Sequence, residues 1–365
     1  MPGALSFGGA STGGGGTLGP MSLVIVGMDE AGYGPMLGPL TVGMGAIRVG
    51  GWTPGEAATD LWKVLGGGVC RKGGDKRGRI AVEDSKKLKL ANDSAKHPLL
   101  HLEAGVLAML RCMDRRPATD AELLNMLGVR RERHEWYGGE AVALPLANDA
   151  AQLGIRANGV ALALAESGCE LLDVRVAAVG EGAFNETVRQ AGTKAAATAI
   201  GLASHLTQVW EAWSRTGDGA AEGGPRVVCD RQGGRTDYAG FIHEIVSSIP
   251  RAAGVRVHVL EQTDARSRYR VEGVGGDGAA REMTLIFQPE AEGACMMVAL
   301  ASMAAKLVRE LMMARFNRYW SARAAERGIA ELKPTAGYVQ DARRWLRDAA
   351  PLLSSEARRT MVRIA

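Results

Sequence analysis

Acidic side chains in three separate stretches carry the chemistry this chain could do. Asp29 and Glu30 end an apolar run, Leu23-Val24-Ile25-Val26-Gly27-Met28, and Ala31-Gly32-Tyr33-Gly34-Pro35-Met36-Leu37-Gly38-Pro39 follows at once. The run reads as a buried strand and the Gly/Pro cluster as a tight turn. Carboxylates are almost never fully buried unless paired or bound to a metal. Two at the end of a core strand need an explanation, the ordinary one being a strand that has simply reached solvent. Gly32, Gly34 and Gly38 have no side chains and let another backbone approach closely, which suits a site where a polyanion meets metal ions. Asp230 ends a second apolar run, Val227-Val228-Cys229, and Glu290-Ala291-Glu292 precedes an apolar stretch of small residues, Gly293 to Lys306. Acids in a first helical turn also complement the helix dipole. Ligands gather at the carboxyl ends of strands in α/β sheets, so strands that deliver acids there can build one site. Carboxylates without histidine suit hard ions such as Mg²⁺ or Mn²⁺. Such clusters commonly hold two ions for in-line attack at phosphorus.

Basic residues supply candidate phosphate contacts. In Glu83-Asp84-Ser85-Lys86-Lys87-Leu88-Lys89, three lysines in four positions beside a serine suit a phosphodiester backbone or an exposed turn. Residues 66–79 form a basic, Gly-rich stretch read as a solvated loop. Arg231 and Arg235 lie in a Gly-rich turn after Asp230, placed to meet phosphate or to pair with local acids, and Asp237 reads as the cap region of the next helix.

The elements that must position these groups alternate between strands and helices. Strands are expected at Leu23–Met28, Leu40–Val49 (a hairpin with the first), Glu170–Val179, Val227–Cys229, Val255–Leu260 and Met283–Phe287. Helices are expected at 56–65, Leu99–Met113, Asp120–Leu127, Ala147–Glu166, Asn185–Trp213, Thr236–Ile249, Gly293–Trp320 and Val339–Asp348. The alternation predicts an α/β sheet with helices packed on it. There is no internal repeat. Residues 1–21, with Gly13 to Gly16 in a row, read as a disordered tail.

The 365 residues are long for one domain and short for two. An apolar fraction of 46% with 23% charged residues suits a globular chain, and a net charge of +4 announces no global polycation. Cys70, Cys112, Cys169, Cys229 and Cys295 are far apart, which argues against a zinc site or disulfide scaffold and suits a reducing cytoplasm. No apolar stretch of about twenty residues exists, so no membrane span is expected, and the N-terminal residues lack the pattern of a secretory signal.

Taken together, these motifs resemble the type 2 ribonucleases H, ribonuclease HII and its relative HIII. The family's Asp-Glu-Ala-Gly-Arg-Gly-Pro-x-x-Gly-Pro is similar to Asp29 through Pro39, and its Asp-Ser-Lys-Lys-Leu to Asp84–Leu88. Its strand, Asn-containing turn and Ala-rich helix look similar to Val174–Trp210, with Asn185 at the turn. Its third acid follows a short strand, as Asp230 does. Its fourth lies ten residues before the serine of an Ala-Ser-Ile-x-Ala-Lys helix; counting back from Ser302 in Ala301–Lys306 reaches Glu292, with Glu290 the fallback. Gly337-Tyr338 resembles the family's late Gly-Tyr pair. The ordered motifs span roughly residues 23–346.

The resemblance implies an RNase H-like mixed sheet flanked by helices, with a mainly helical insertion near 95–165 inside a catalytic domain of 22–350, and a C-terminal helical region with an extension at 351–365. It implies endonucleolytic cleavage of the RNA strand in RNA–DNA hybrids or ribonucleotide-containing duplexes, giving 5′-phosphate and 3′-hydroxyl ends. Asp29, Glu30, Asp230 and Glu292 are then the catalytic metal ligands for two Mg²⁺ or Mn²⁺ ions, their oxygens converging on one pocket. Gly32, Tyr33, Gly34, Ser85, Lys86, Lys87 and Tyr338 are the substrate contacts. Lys306 is set aside, since fourteen residues of straight helix put it about 21 Å from Glu292.

Three departures stand out. Tyr33 replaces the family's arginine, so a charged fork is lost, while the Gly32 and Gly34 amides remain to meet a 2′-hydroxyl. About 70 residues near 95–165 exceed the family's usual length. The family's late His-Arg-Arg-Ser-Phe has no counterpart after Leu346. A non-catalytic nucleic-acid binder of the same fold, or a nuclease for branched DNA, are the competing readings.

Overall fold

The computed structural model describes residues 21–53, 59–130, 134–217, 223–231 and 235–364; the tail expected before Met21 lies outside these. In chain order the elements begin with β1 (Met21–Ala31), β2 (Leu40–Trp52), α1 (Leu61–Val64), β3 (Val69–Cys70), β4 (Ile80–Ala81) and α2 (Ser85–Leu88). Next come α3 (Leu100–Cys112), α4 (Asp120–Met126), α5 (Ala150–Glu166), β5 (Cys169–Val179), α6 (Glu181–Ala191) and α7 (Lys194–Trp213). The remainder is β6 (Arg226–Asp230), α8 (Ala239–Ser247), β7 (Ala253–Gln262), β8 (Ser267–Val274), β9 (Ala280–Gln288), α9 (Ala291–Ala294), α10 (Met296–Glu326), α11 (Val339–Asp348) and α12 (Ser355–Met361).

Seven strands form one mixed sheet in the order β5-β2-β1-β6-β9-β8-β7. β1, β6 and β9 run parallel, while β2 and β5 on one side and β8 and β7 on the other are antiparallel neighbours. This is the α/β mixed sheet flanked by helices that the sequence predicts. Alternate residues face opposite sides. Ile25 and Ile47 pack in a cluster with Leu107, Leu300 and Met303 of α3 and α10. Val26, Met28 and Val42 pack with Leu202, Leu206 and Ile242 of α7 and α8.

The close approach of α10 to the sheet sets the geometry of the site. A Cβ on Gly27 would lie 2.0 Å from Val298 N, and one on Gly43 would lie 2.1 Å from Ala301 O. Only glycine lets the helix backbone rest directly on β1 and β2. Thr41 Oγ1 donates to Ala305 O at 3.0 Å and fastens the same pair of elements.

The stretch read as an insertion, near 95–165, contains α3, α4 and most of α5, and it joins the main core rather than standing apart. Buried Arg315 of α10 makes a fork with Asp120 of α4, Nε to Oδ2 at 2.8 Å and Nη2 to Oδ1 at 2.7 Å. Breaking such a buried pair costs about 3–5 kcal/mol.

Several local expectations need correction. The single helix expected over Asn185–Trp213 is two, α6 and α7, because Gly192 takes a left-handed φ of 73° and ends the first. Asn185 is therefore inside α6, not at a turn. The loop expected at 66–79 contains β3, which pairs with β4. β8, unanticipated, pairs along its length with β9. The helix expected from Thr236 starts at Ala239, where Asp237 accepts from the Ala239 amide at 2.9 Å.

Candidate active site

β1 and β6 run side by side and in parallel, with Met28 opposite Cys229. The next residue of each strand is Asp29 or Asp230, so two acids leave the sheet together at its carboxyl end. Glu30 follows Asp29 directly. Asp230 accepts from the Ala291 amide at 3.1 Å, which draws the start of α9, and with it Glu292, to the same end. Glu290 is exposed, whereas Glu292 is half-buried.

The electrostatics show that these groups feel one another. Burial lifts the Asp29 carboxyl well above the usual range and neighbouring Glu30 adds to it, against opposing hydrogen bonds from the Ser302 hydroxyl and the Glu30 amide. Burial, then Asp230, pushes Glu30 up to about 7, with Lys86 opposing. Asp230 and Glu292 are raised by burial too, and Glu292 further by Asp230. The exposed Lys86 is the cation acting on Glu30, Asp230 and Glu292. Asp84, at the N-cap of α2, adds a further negative charge that raises both Asp230 and Glu292. Its place at the end of the short apolar run Ile80-Ala81-Val82, next to Glu83, is the sequence signal that could have singled it out. Burial and the acids beside it push the Cys229 thiol up.

An all-oxygen donor set suits a hard divalent ion. One donor, Glu292 Oε2, is buried with no hydrogen-bond partner. The chemistry of the residues thus fits a cation. The tight convergence expected of the four carboxylates is not seen: among the described residues no three acidic, His or Cys side chains gather as a group able to hold a metal ion. They share one end of the sheet within electrostatic reach, and carboxylates with a single lysine between them repel.

Beside the acids stands the glycine loop. Gly32 has φ 88°, and a Cβ there would lie 2.4 Å from Arg309 Nε, so both conformation and space demand glycine. Around Gly34 a Cβ would meet nothing within 4 Å. Met36 N and Leu37 N donate to Gly337 O at 2.8 and 3.2 Å, which brings the Gly337-Tyr338 pair against the loop. Tyr33 and Tyr338 are exposed, at 43% and 48%. Lys86 and Lys87 are exposed on α2, Lys87 reaching Glu83 at 3.4 Å. Ser85, expected as a substrate contact, is instead buried, its Oγ 2.9 Å from Ser302 Oγ. It packs α2 onto α10 and touches the serine that hydrogen-bonds Asp29. Arg231 donates to the carbonyls of Asp264 and Thr263 at 2.6 and 2.9 Å, so it braces the turn between β7 and β8 rather than pairing with an acid.

Sequence reasoning missed Arg363. This buried residue reaches back from the end of the chain, Nη1 to Gly32 O at 2.6 Å and Nη2 to Tyr33 O at 3.0 Å. Its own amide donates to Met36 O at 2.8 Å. Asn185 clasps the same tail, donating to Val362 O at 2.8 Å and accepting from Ile364 N at 2.7 Å. No local pattern around residue 363 announces this role.

No family model matches the chain, and no curated protein matches it. Solved structures do. A ribonuclease HII of Archaeoglobus fulgidus, determined in complex with PCNA, is 13% identical over 94% of each chain, with a TM-score of 0.39. The ribonuclease H2 of Pyrococcus horikoshii OT3 is 14% identical over 93% of this chain and 97% of its own, with a TM-score of 0.38. Identities and TM-scores this low leave function to be read from the side chains. No described helix is long and apolar enough to cross a membrane.

Proposed function

We propose that the chain is a divalent-metal-dependent endonuclease that hydrolyses the RNA strand of RNA–DNA hybrids. The observation that carries this reading is the pairing of β1 with β6, which sets Asp29 and Asp230 side by side with Glu30 and Glu292 in electrostatic reach. In this reading Asp29, Glu30, Asp230 and Glu292 hold Mg²⁺ or Mn²⁺, which when bound activates water and offsets charge on the leaving oxygen.

The remaining residues position and bind. Ser302 orients the Asp29 carboxylate by its hydrogen bond, and the Ala291 amide orients Asp230. Lys86 presents positive charge beside the acids, where a phosphate approaches. The exposed edge of the glycine loop offers the Gly32 and Gly34 amides to a ribose 2′-hydroxyl, the group that marks RNA. Tyr33 and Tyr338 flank the loop as flat surfaces for a sugar or base. The expected products carry 5′-phosphate and 3′-hydroxyl ends, and a site in the cytoplasm fits the five unpaired cysteines.

Cleavage of an end-labelled hybrid with Mg²⁺ or Mn²⁺ tests the proposal, with duplex and branched DNA as competing substrates and Asp29→Asn as the inactive control. Turnover of the hybrid by the wild type alone is the expected result. No turnover on any hybrid would remove the nuclease reading; a preference for branched DNA would replace its substrate.

A further inference from the structure

The same face of the sheet that presents Asp29 and Asp230 continues away from them as an open trough. α10 covers this face over β1 and β2, and beyond its start β6, β9 and β8 form the floor of a cavity of about 730 Å³. The register gives its layout. Asp230 lies opposite Gln288; one step back, Val228, Ile286 and Arg268 are in line; a further step back, Arg226 is opposite Thr284. Arg226 is four residues from Asp230 on one strand, about 13 Å at about 3.3 Å per residue. The distance corresponds to about four base steps of a nucleic acid at 3.4 Å each.

Four arginines line this trough: Arg71, Arg226, Arg266 and Arg268. Asp60 is the one carboxylate among its described lining residues, and its Oδ1 accepts from the Trp62 and Lys63 amides. Arg226 makes no ion pair among the described residues; its guanidinium lies over the Trp52 ring at 4.8 Å. Arg268 meets Glu261 only at 4.0 Å, and its Nε has no hydrogen-bond partner. Arg226 is lowered by burial and then by the like charge of Arg268. Arg71 is paired with Glu83 at 3.1 Å and Arg266 with Glu261 at 2.8 Å, which leaves Arg226, with no ion pair among the described residues, near the loosely held Arg268, an arrangement that an anion stabilises. The trough is long, shares a face with the acids and points along the strands toward them, which fits an extended polyanion better than a small one.

We propose that this arginine trough binds the phosphodiester backbone of the nucleic-acid strand leading away from the acid cluster. The proposal deepens the nuclease reading and rests on it for the identity of the polyanion. Phosphate contacts of this kind position a substrate without reading its sequence.

The test is the salt dependence of binding, measured by fluorescence anisotropy of a labelled RNA–DNA hybrid with the full chain. Each phosphate contact contributes about 0.9 to the slope of log K against log salt for a duplex. The double variant Arg226→Gln with Arg268→Gln should lower that slope by about 1.8 and weaken binding roughly tenfold or more at low salt. Hydrolysis should show a raised KM with kcat unchanged. Arg226→Lys with Arg268→Lys should keep the wild-type slope, since it is charge that counts. Arg323→Gln with Arg327→Gln, at the far end of the 31-residue α10, serves as control and should leave the slope alone. An unchanged slope in the trough variant, or an equal fall in the control, overturns the proposal. If the trough variant shows the predicted fall in slope but the wild type cleaves nothing, the nuclease reading fails while the trough stands.

Discussion

Glu30→Gln is expected to make the metal-free protein more stable while abolishing hydrolysis. Burial and Asp230 lift the Glu30 carboxyl from an ordinary 4.5 to about 7. The folded chain therefore holds this proton more tightly than the unfolded chain does. Below about pH 4.5 the group is protonated in both states and costs nothing. Between about 4.5 and 7 the unfolded state ionises first, and stability falls as pH rises; above 7 the full cost is present. A difference of about 2.5 at about 1.36 kcal/mol each is about 3 kcal/mol. Asp29, Asp230 and Glu292 are shifted in the same direction and steepen the fall. Urea unfolding in chelator checks this. At about pH 8 the Gln variant should exceed wild type by about 3 kcal/mol, and near pH 4 the two should coincide. Added Mg²⁺ should stabilise wild type more than the variant, because the cation takes over the role of the lost proton. A variant no more stable than wild type at pH 8, or a gap that does not change with pH, would refute the claim that burial and neighbouring charge raise Glu30.

Two further outcomes are expected. Arg363→Ala removes the charge-assisted bonds to Gly32 O and Tyr33 O; at about 1.5–3 kcal/mol each it should cost about 3–6 kcal/mol in chemical denaturation, and hybrid KM should rise more than kcat falls. Gly27→Ala drives a Cβ into the backbone of Met297 and Val298; since neither side can yield cheaply, destabilisation of more than about 3 kcal/mol is expected by thermal unfolding, with activity lost even where the protein stays folded, because Ser302 leaves Asp29.

Local pattern carried most of the sheet and little of the support beneath the site. The apolar runs ending at Asp29 and Asp230 were readable because buried strands are continuous in hydrophobicity, and their acids interrupt it. β8 was not readable, for the opposite reason. One face is the half-buried Arg268, Arg270 and Glu272, and the buried face is Ser267, Tyr269 and Val271, so charged residues interrupt the apolar run. The break after Ala191 depended on one glycine adopting a left-handed turn within an Ala-rich stretch. Ser85 carries the same residue type whether it faces a ligand or another hydroxyl, and only the packing of α2 on α10 decides between them. The grip of Arg363 on a loop more than 300 residues earlier follows from tertiary closure alone, so no window of sequence contains it.

That grip also bears on Tyr33. The residue stands where the motif that Asp29–Pro39 resembles has arginine, so the loop surface lacks that cation. Beneath the same loop the structure buries two. Arg363 bonds the Gly32 and Tyr33 carbonyls, and Arg309 donates Nη2 to Leu37 O and Ala336 O, both at 3.1 Å, with Nε and Nη1 unpartnered. Burial, and for Arg363 the nearby Arg309, lower both guanidiniums, Arg363 to about 10. The acid that reaches both is Glu181, whose Oε1 already accepts from Tyr137 at 2.6 Å. Glu310 also acts on Arg309 and is itself paired with Lys306 at 2.9 Å; the two guanidiniums lie under the loop, close to its amides. Carbonyls drawn inward by arginine leave the loop's outer side to its N–H groups, which are what an incoming phosphate or 2′-hydroxyl meets. Charge absent from the surface at Tyr33 is thus supplied from below, through the backbone, and substitution of Arg363 should weaken hybrid binding even though its side chain never touches the substrate.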